Sequence, residues 1–246
     1  MRLRLTFTKS GGLRYIGHLD LQTLWERTVR RAGLPLAYTQ GFHPGPKIQI
    51  AAALPLGFIG RAEIVDLWLD EPEAAKEPLV DAKEPLVDGK EPLVDAKEPL
   101  DDAKEPLDDA KERLVEMKAR LQQAAPPGLV ITAAEAVDER SPALQTRVSS
   151  AVYEATLLEI PDPAGLQASV SRLLEAESLP RQRREKDYDL RPLIESLECG
   201  DQKLQMVLAS RPGATGRPEE VLDCLGIPVE NARIERTRLI LQEDVK

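Results

Sequence analysis

Residues 2–9 alternate between apolar and polar. Leu3, Leu5 and Phe7 fall on one side and Arg2, Arg4, Thr6 and Thr8 on the other, the period of a strand with one buried face. The period then lengthens. Over 19–32, Leu21, Leu24, Trp25, Val29 and Ala32 make one helical stripe, and Gly33 suits the stop. Residues 35–52 and 62–69 read as strands, 111–124 as a helix and 128–134 as a further strand. The second half repeats the order: a strand at 149–159 and a helix at 164–177 built on Leu166, Val170, Leu173 and Leu174. A long irregular basic segment follows, then a strand at 203–209, a helix at 217–225 and a strand at 232–241.

Each half therefore reads β-α-β-β-α-β. The pattern predicts an α+β fold of two tandem ferredoxin-like units, over residues 1–140 and 141–246, with antiparallel sheets. Helices would cover one face of each sheet and leave the other free to bind.

The first unit is interrupted. Residues 76–110 read KEPLVDA, KEPLVDG, KEPLVDA, KEPLDDA, KEPLDDA, a heptapeptide repeat with Pro78, Pro85, Pro92, Pro99 and Pro106 in register. Only Leu recurs as a strong apolar position, so half of a coiled-coil seam is missing. An interior proline costs a helix ~3 kcal/mol. The tract is expected to be an extended acidic insert that turns helical near Lys111, where Arg113 replaces the proline.

Charge is divided along the chain. The whole chain carries −9, but the insert holds five Lys against five Glu and seven Asp, a net −7. Residues 1–62 hold nine Lys and Arg against Asp20 and Glu26, a net +7. A basic N-terminal unit suits a polyanion partner, and a solvated charged face accounts for it equally. With aromatics at 4%, packing falls to Leu, Val, Ile and Ala. No stretch approaches ~20 consecutive apolar residues, so no membrane span is expected. Cys199 and Cys224 give no disulfide framework, and a cytoplasmic location with reduced thiols is expected.

Three segments could hold chemistry. In KSGGLRYIGHLD (9–20), Gly11, Gly12 and Gly17 let the backbone turn into a helix N-terminus, where unpaired N–H groups attract anions. Lys9 and Arg14 flank it, and His18 and Asp20 sit at its mouth. This is either a phosphate or nucleic-acid site with His18 as general acid or base, or a helix capped by Asp20 or His18. In YTQGFHPGPKIQIAAALPLG (38–57), Pro44 and Pro46 stiffen a turn that presents Phe42, His43 and Lys47, suited to base stacking and phosphate contact or simply to turning the chain. In RQRREKDYDLRPLI (181–194), Arg181, Arg183, Arg184, Lys186 and Arg191 surround Tyr188, either as a phosphate-backbone contact or as an exposed polar hairpin.

His18, His43, Cys199 and Cys224 lack metal-ligand spacing, and neither an iron–sulfur cysteine cluster nor a Walker or nucleophile-elbow motif is present. No metal or cofactor is expected.

The run FTKSGGLRYIGHLDLQTLWERTVRRAGLPLAYTQGFHPGPKIQIAAALPLG, with KDYDLRPLI in the second half, closely resembles the radical-SAM-linked protein family. Its G-H-L-D and G-F-x-P-x-P-K elements are specific in combination, and Gly45 stands where members often have a larger polar residue. The resemblance spans about residues 1–70 and 149–241 and omits the insert. It implies a bacterial cytoplasmic protein whose partner, supplied in trans, is a radical S-adenosylmethionine enzyme. Members often lie near genes for an E/G-type ribonuclease and ribosomal proteins, which implies RNA.

The expectation is a non-catalytic module that binds a structured RNA or presents it to that enzyme. Arg2, Arg4, Lys9, Arg14 and Lys47 would contact phosphates, Phe42 and Tyr188 would stack, and His18, Asp20 and His43 would shape the pocket. The alternatives are a metal-independent endoribonuclease using His18, and a protein–protein adaptor docking through the acidic repeat.

Overall fold

A computed structural model describes residues 1–70, 106–159, 163–200 and 202–242. The heptapeptide repeat at 76–105, and the expectation that it is extended, lie outside them. The architecture is mixed α+β, with one large, mostly antiparallel sheet, a separate two-stranded sheet and five α-helices among the described residues.

The first half runs β1 (Arg2–Lys9), α1 (His18–Arg31), β2 (Ile48–Ile50), β3 (Ile59–Trp68), α2 (Pro106–Ala124) and β4 (Leu129–Val137). Leu3, Leu5 and Phe7 of β1 are fully buried, and Phe7 meets Trp25 of α1 edge-on with ring centroids 5.0 Å apart. Met117 and Leu121 of α2 close the same core. The described part of α2 already includes Pro106–Ala110, so the helix extends ahead of Lys111.

The strand expected over 35–52 shrinks to Ile48–Ile50 plus isolated bridges at Leu36–Leu69 and Tyr38–Pro46. Pro35, Pro44 and Pro46 cannot donate to a ladder, so only short stretches pair.

The second half runs α3 (Leu144–Arg147), β5 (Val148–Leu157), α4 (Pro163–Glu175), β6 (Pro180–Arg183), β7 (Lys186–Asp189), β8 (Ile194–Cys199), β9 (Lys203–Arg211), β10 (Ala214–Thr215), α5 (Pro218–Cys224) and β11 (Ala232–Leu241). The segment expected to be irregular is thus a hairpin, β6–β7, followed by a strand.

The halves share one sheet of nine strands. Its order is β10-β9-β5-β11-β3-β1-β4, with β2 on β3 and β8 on β9. β3 and β11 pair in parallel, Ile59 opposite Glu235 and Gly60 opposite Arg236, and this seam joins the halves. A buried pair crosses it: Arg236 donates to both carboxylate oxygens of Glu63 and to the carbonyls of Ala52 and Ala53. Burial opposes the Arg236 charge, yet the Glu63 carboxylate holds its pKa well above the usual arginine value. Gly60 has no Cβ because the Glu63 side chain fills that space. The loop after β2 also crosses over, since Ala51, Leu54 and Phe58 belong to the core of the second half.

The face of β1 opposite Leu3, Leu5 and Phe7 is not open at its N-terminal end. Arg2 and Arg4 are 1% and 6% exposed. Both clamp Asp66 of β3, itself fully buried, with Nε contacts of 2.9 and 2.8 Å. Arg2 also donates to the carbonyls of Ser141 and Pro142, in the segment that leads into α3 and lies across this face. Alternation placed these arginines on the correct side of β1, but that side is covered.

Candidate nucleic-acid interface

The strongest cationic feature is a cavity of about 700 Å³ beside the β6–β7 hairpin. Two residues, Arg184 and Glu185, make the turn, with φ of +50° and +64°. A tight two-residue turn of this hand suits the twist of a hairpin, but it favours Asn and Gly. Placing larger side chains in the left-handed region costs roughly 1 kcal/mol each. Arg184 projects at the tip, and Lys186 follows it on β7.

Tyr188 forms one wall. Arg183 stacks over its ring, Cζ 4.8 Å from the centroid, and donates to its hydroxyl at 3.1 Å. Arg183 also grips Glu220 of α5 at 2.7 and 2.8 Å and reaches the Thr215 carbonyl of β10 at 3.3 Å. Its charge is therefore committed: burial works against it, and Glu220 more than offsets that, raising its pKa. Burial, then Glu220, pushes the Tyr188 phenol up, so the ring stays neutral at physiological pH.

Around this braced wall stand Arg184, Lys186 and Arg217, none of which makes an ion pair or side-chain hydrogen bond with a described residue. The acidic neighbours are partly occupied. Asp189 accepts the Leu179 and Arg191 amides at 2.7 and 2.9 Å, which lowers its pKa, and Asp187 accepts from Gln182 at 3.0 Å. Three unneutralised cations, one ring and a concavity can hold phosphate oxygens and a flat group together.

The remaining sequence-predicted residues disperse. Arg181 turns to Cys224 Sγ at 2.7 Å and Asp223 at 3.0 Å. Arg191 donates to the Leu174 carbonyl near the end of α4, at 2.8 Å, the favoured place for a cation on a helix. Arg2 and Arg4 are spent on Asp66.

Lys9 is buried and donates to the Ile16 carbonyl at 2.9 Å. Burial lowers its pKa, partly opposed by Glu63. Asp20 accepts the Gly17 amide at 3.2 Å, the helix-capping role. His18 Nδ1 is buried without a hydrogen-bond partner, so no side chain orients it as an acid or base.

Lys9, Arg14 and His18 gather where β1 ends and α1 begins. The loop with Phe42, His43 and Lys47 does not join them. The Lys47 carbonyl accepts the Trp68 amide, and Trp68 lies opposite Arg2, at the other end of β1. Tyr38 is tied to Glu26 and Arg30, two to three turns along α1 from His18.

The hairpin cluster is farther still. β10 and β9 form one edge of the sheet, and β1 lies four strands beyond β9, roughly 19 Å at the usual spacing. The sequence pattern missed Arg217. It stands alone before Pro218 and shows its relevance only when β10 folds beside the hairpin.

The fold and this pocket define a mixed α+β protein with an exposed cationic cavity on one edge of its sheet. The chain belongs to the family described as "Uncharacterized protein conserved in bacteria (DUF2344)", which it matches over residues 2–109 and 102–218. No curated protein matches it. No helix among the described residues is long and apolar enough to cross a membrane.

Proposed function

We propose that this protein is a non-catalytic RNA-binding module that works in the cytoplasm beside a radical S-adenosylmethionine enzyme. The observation that carries the RNA reading is the hairpin pocket, where Arg184, Lys186 and Arg217 stand unpaired around the braced ring of Tyr188. Phosphates would lie on the three cations and an unstacked base against Tyr188. The radical-enzyme partner rests on the sequence resemblance.

The architecture suits this role as two ferredoxin-like units, 1–140 and 141–246. The strand orders β4-β1-β3-β2 and β11-β5-β9-β8 support that reading. Arg2, Arg4 and Lys9, expected as phosphate contacts, serve the interior in this proposal.

The test is fluorescence anisotropy of a labelled 20-nucleotide RNA, in single-stranded and hairpin forms, titrated at several salt concentrations. Each phosphate contact adds ~0.7–0.9 to the slope of log affinity against log salt. Arg184→Glu, Lys186→Glu and Arg217→Glu combined should weaken binding more than tenfold and flatten the slope by ~2–3. Equal affinity and slope in wild type and triple variant would overturn the proposal.

A further inference from the structure

A second concavity, of about 540 Å³, lies at the seam between the halves, away from the hairpin pocket. From the first half come Arg14 and Tyr15, on the 3₁₀ turn Gly11–Tyr15, and the loop residues Leu56 and Phe58. From the second come Leu158 at the end of β5, Val229 on the 3₁₀ turn Val229–Asn231, and Arg233 and Ile234 of β11.

The cleft is preformed. Gly57 N–H donates to the Arg14 carbonyl at 2.8 Å, and Leu158 N–H to the Asn231 carbonyl at 2.8 Å. Arg61 grips Glu235 across the seam at 2.6 and 2.9 Å. The buried Arg236–Glu63 pair holds the same two strands together.

Its lining is unusual for a surface. Tyr15, Leu56, Leu158 and Val229 are 60, 62, 66 and 45% exposed, and they are half of the eight large apolar side chains exposed among the described residues. Scattered exposed apolar residues need no explanation, but a concentration in one concavity marks a binding site. The polar groups are mostly cationic. Arg14 lies over the Tyr15 ring with Cζ 4.7 Å from its centroid and donates to the Tyr15 hydroxyl, and Arg233, whose side chain is 58% exposed, pairs loosely with Glu235 at 3.6 Å. Glu230 is the only carboxylate among the described residues that line it.

An apolar slot with an aromatic ring and two guanidiniums suits a flat heterocycle that carries negative charge. Aromatic rings and guanidinium planes both stack bases, and a guanidinium also binds phosphate. Glu235 is held on both oxygens by Arg61 and lies 3.6 Å from Arg233, so a purely apolar peptide would leave the exposed Arg233 guanidinium without an anion of its own. We infer that this cleft takes one unstacked base of a single-stranded nucleic acid, with its phosphate on Arg233.

The inference rests on the RNA-binding reading but uses a different site. The cleft lies at the C-terminal end of β5, and the hairpin pocket near its N-terminal end, since Ala209 of β9 pairs with Ser150. At ~3.4 Å per residue the two are roughly 30 Å apart.

The test follows methyl NMR signals of Leu56, Leu158 and Val229 in the full chain during titration with adenosine monophosphate, and separately with inorganic phosphate at matched ionic strength. The nucleotide should shift these signals and phosphate should not. Tyr15→Ser should weaken nucleotide affinity roughly tenfold or more, the effect of losing one base–aromatic contact. Tyr15 is exposed, and an unchanged melting curve will show that this variant folds. Methyl shifts with phosphate alone, no shifts with nucleotide, or shifts that follow protein concentration in place of ligand would each overturn the inference. If RNA binding through Arg184, Lys186 and Arg217 persisted in that case, the cleft would fail while the proposed function stood.

Discussion

The turn of the β6–β7 hairpin sets stability against binding, and that opposition can be measured. Arg184 and Glu185 both occupy the left-handed region. An Asn-Gly turn adopts this shape with little strain. Replacing Arg184 by Asn and Glu185 by Gly relieves roughly 1 kcal/mol per residue. The added flexibility of glycine in the unfolded chain returns ~0.5–1 kcal/mol. The net is about 1 kcal/mol of stabilisation, a rise of ~2–4 °C in Tm for a chain of this size. The same double variant removes one of the three unpaired cations of the pocket. Its RNA salt slope should flatten by ~1, with weaker binding at ~50 mM salt. Calorimetry and anisotropy on the same preparation check both halves. The single variant Glu185→Gly relieves ~1 kcal/mol of strain against the ~0.5–1 kcal/mol that glycine flexibility returns, so Tm should hold or rise by at most ~2 °C while the slope stays intact. A double variant that melted lower, or that bound RNA with an undiminished slope, would refute the reasoning.

Other outcomes follow from buried charge. Asp66→Ala leaves the Arg2 and Arg4 guanidiniums buried without their shared carboxylate, and should cost ~3–5 kcal/mol by urea unfolding. A loss below ~1 kcal/mol would mean water reaches that face. Lys9→Met keeps the stem and drops an ammonium whose burial already lowers its pKa, so Tm should hold or rise. A clear fall would give the Ile16 hydrogen bond more weight than its desolvation. Glu235 is held below the usual carboxylate range, chiefly by its Arg61 hydrogen bond. A depressed carboxylate stabilises the fold above its unfolded pKa of ~4, and loses that contribution as pH falls through the folded value. Stability measured from pH 6 to pH 3 should therefore drop less steeply in Glu235→Gln than in wild type, and parallel curves would contradict this.

Local periodicity was enough to find β1, α1, β4, β5, β9 and β11 within a few residues, because alternation and the helical stripe are written into neighbouring positions. It also placed Arg2 and Arg4 opposite Leu3, Leu5 and Phe7. What it could not show is what covers that side. Asp66 is 62 residues from Arg4, and Ser141 is 139 from Arg2. Whether an arginine on a strand is a phosphate contact or half of a buried ion pair depends on those distant partners.

The hairpin is the converse case. Its basic run was visible as Arg181 to Arg191, yet the tertiary structure divides it. Arg183 braces Tyr188 through Glu220, Arg181 turns to Asp223 and Cys224, Arg191 ties down the end of α4, and Arg217 arrives from another turn to complete the pocket. The seam cleft had no local signal, because Tyr15, Leu56, Leu158 and Val229 are unremarkable one at a time. The sequence by itself determined the long strands and helices and which side of each is apolar, since neighbouring residues set those, and it did not show the short β6–β7 hairpin or β8. The parallel pairing of β3 with β11 decided the rest, because charges and apolar groups far apart in the chain meet only when the two halves share a sheet.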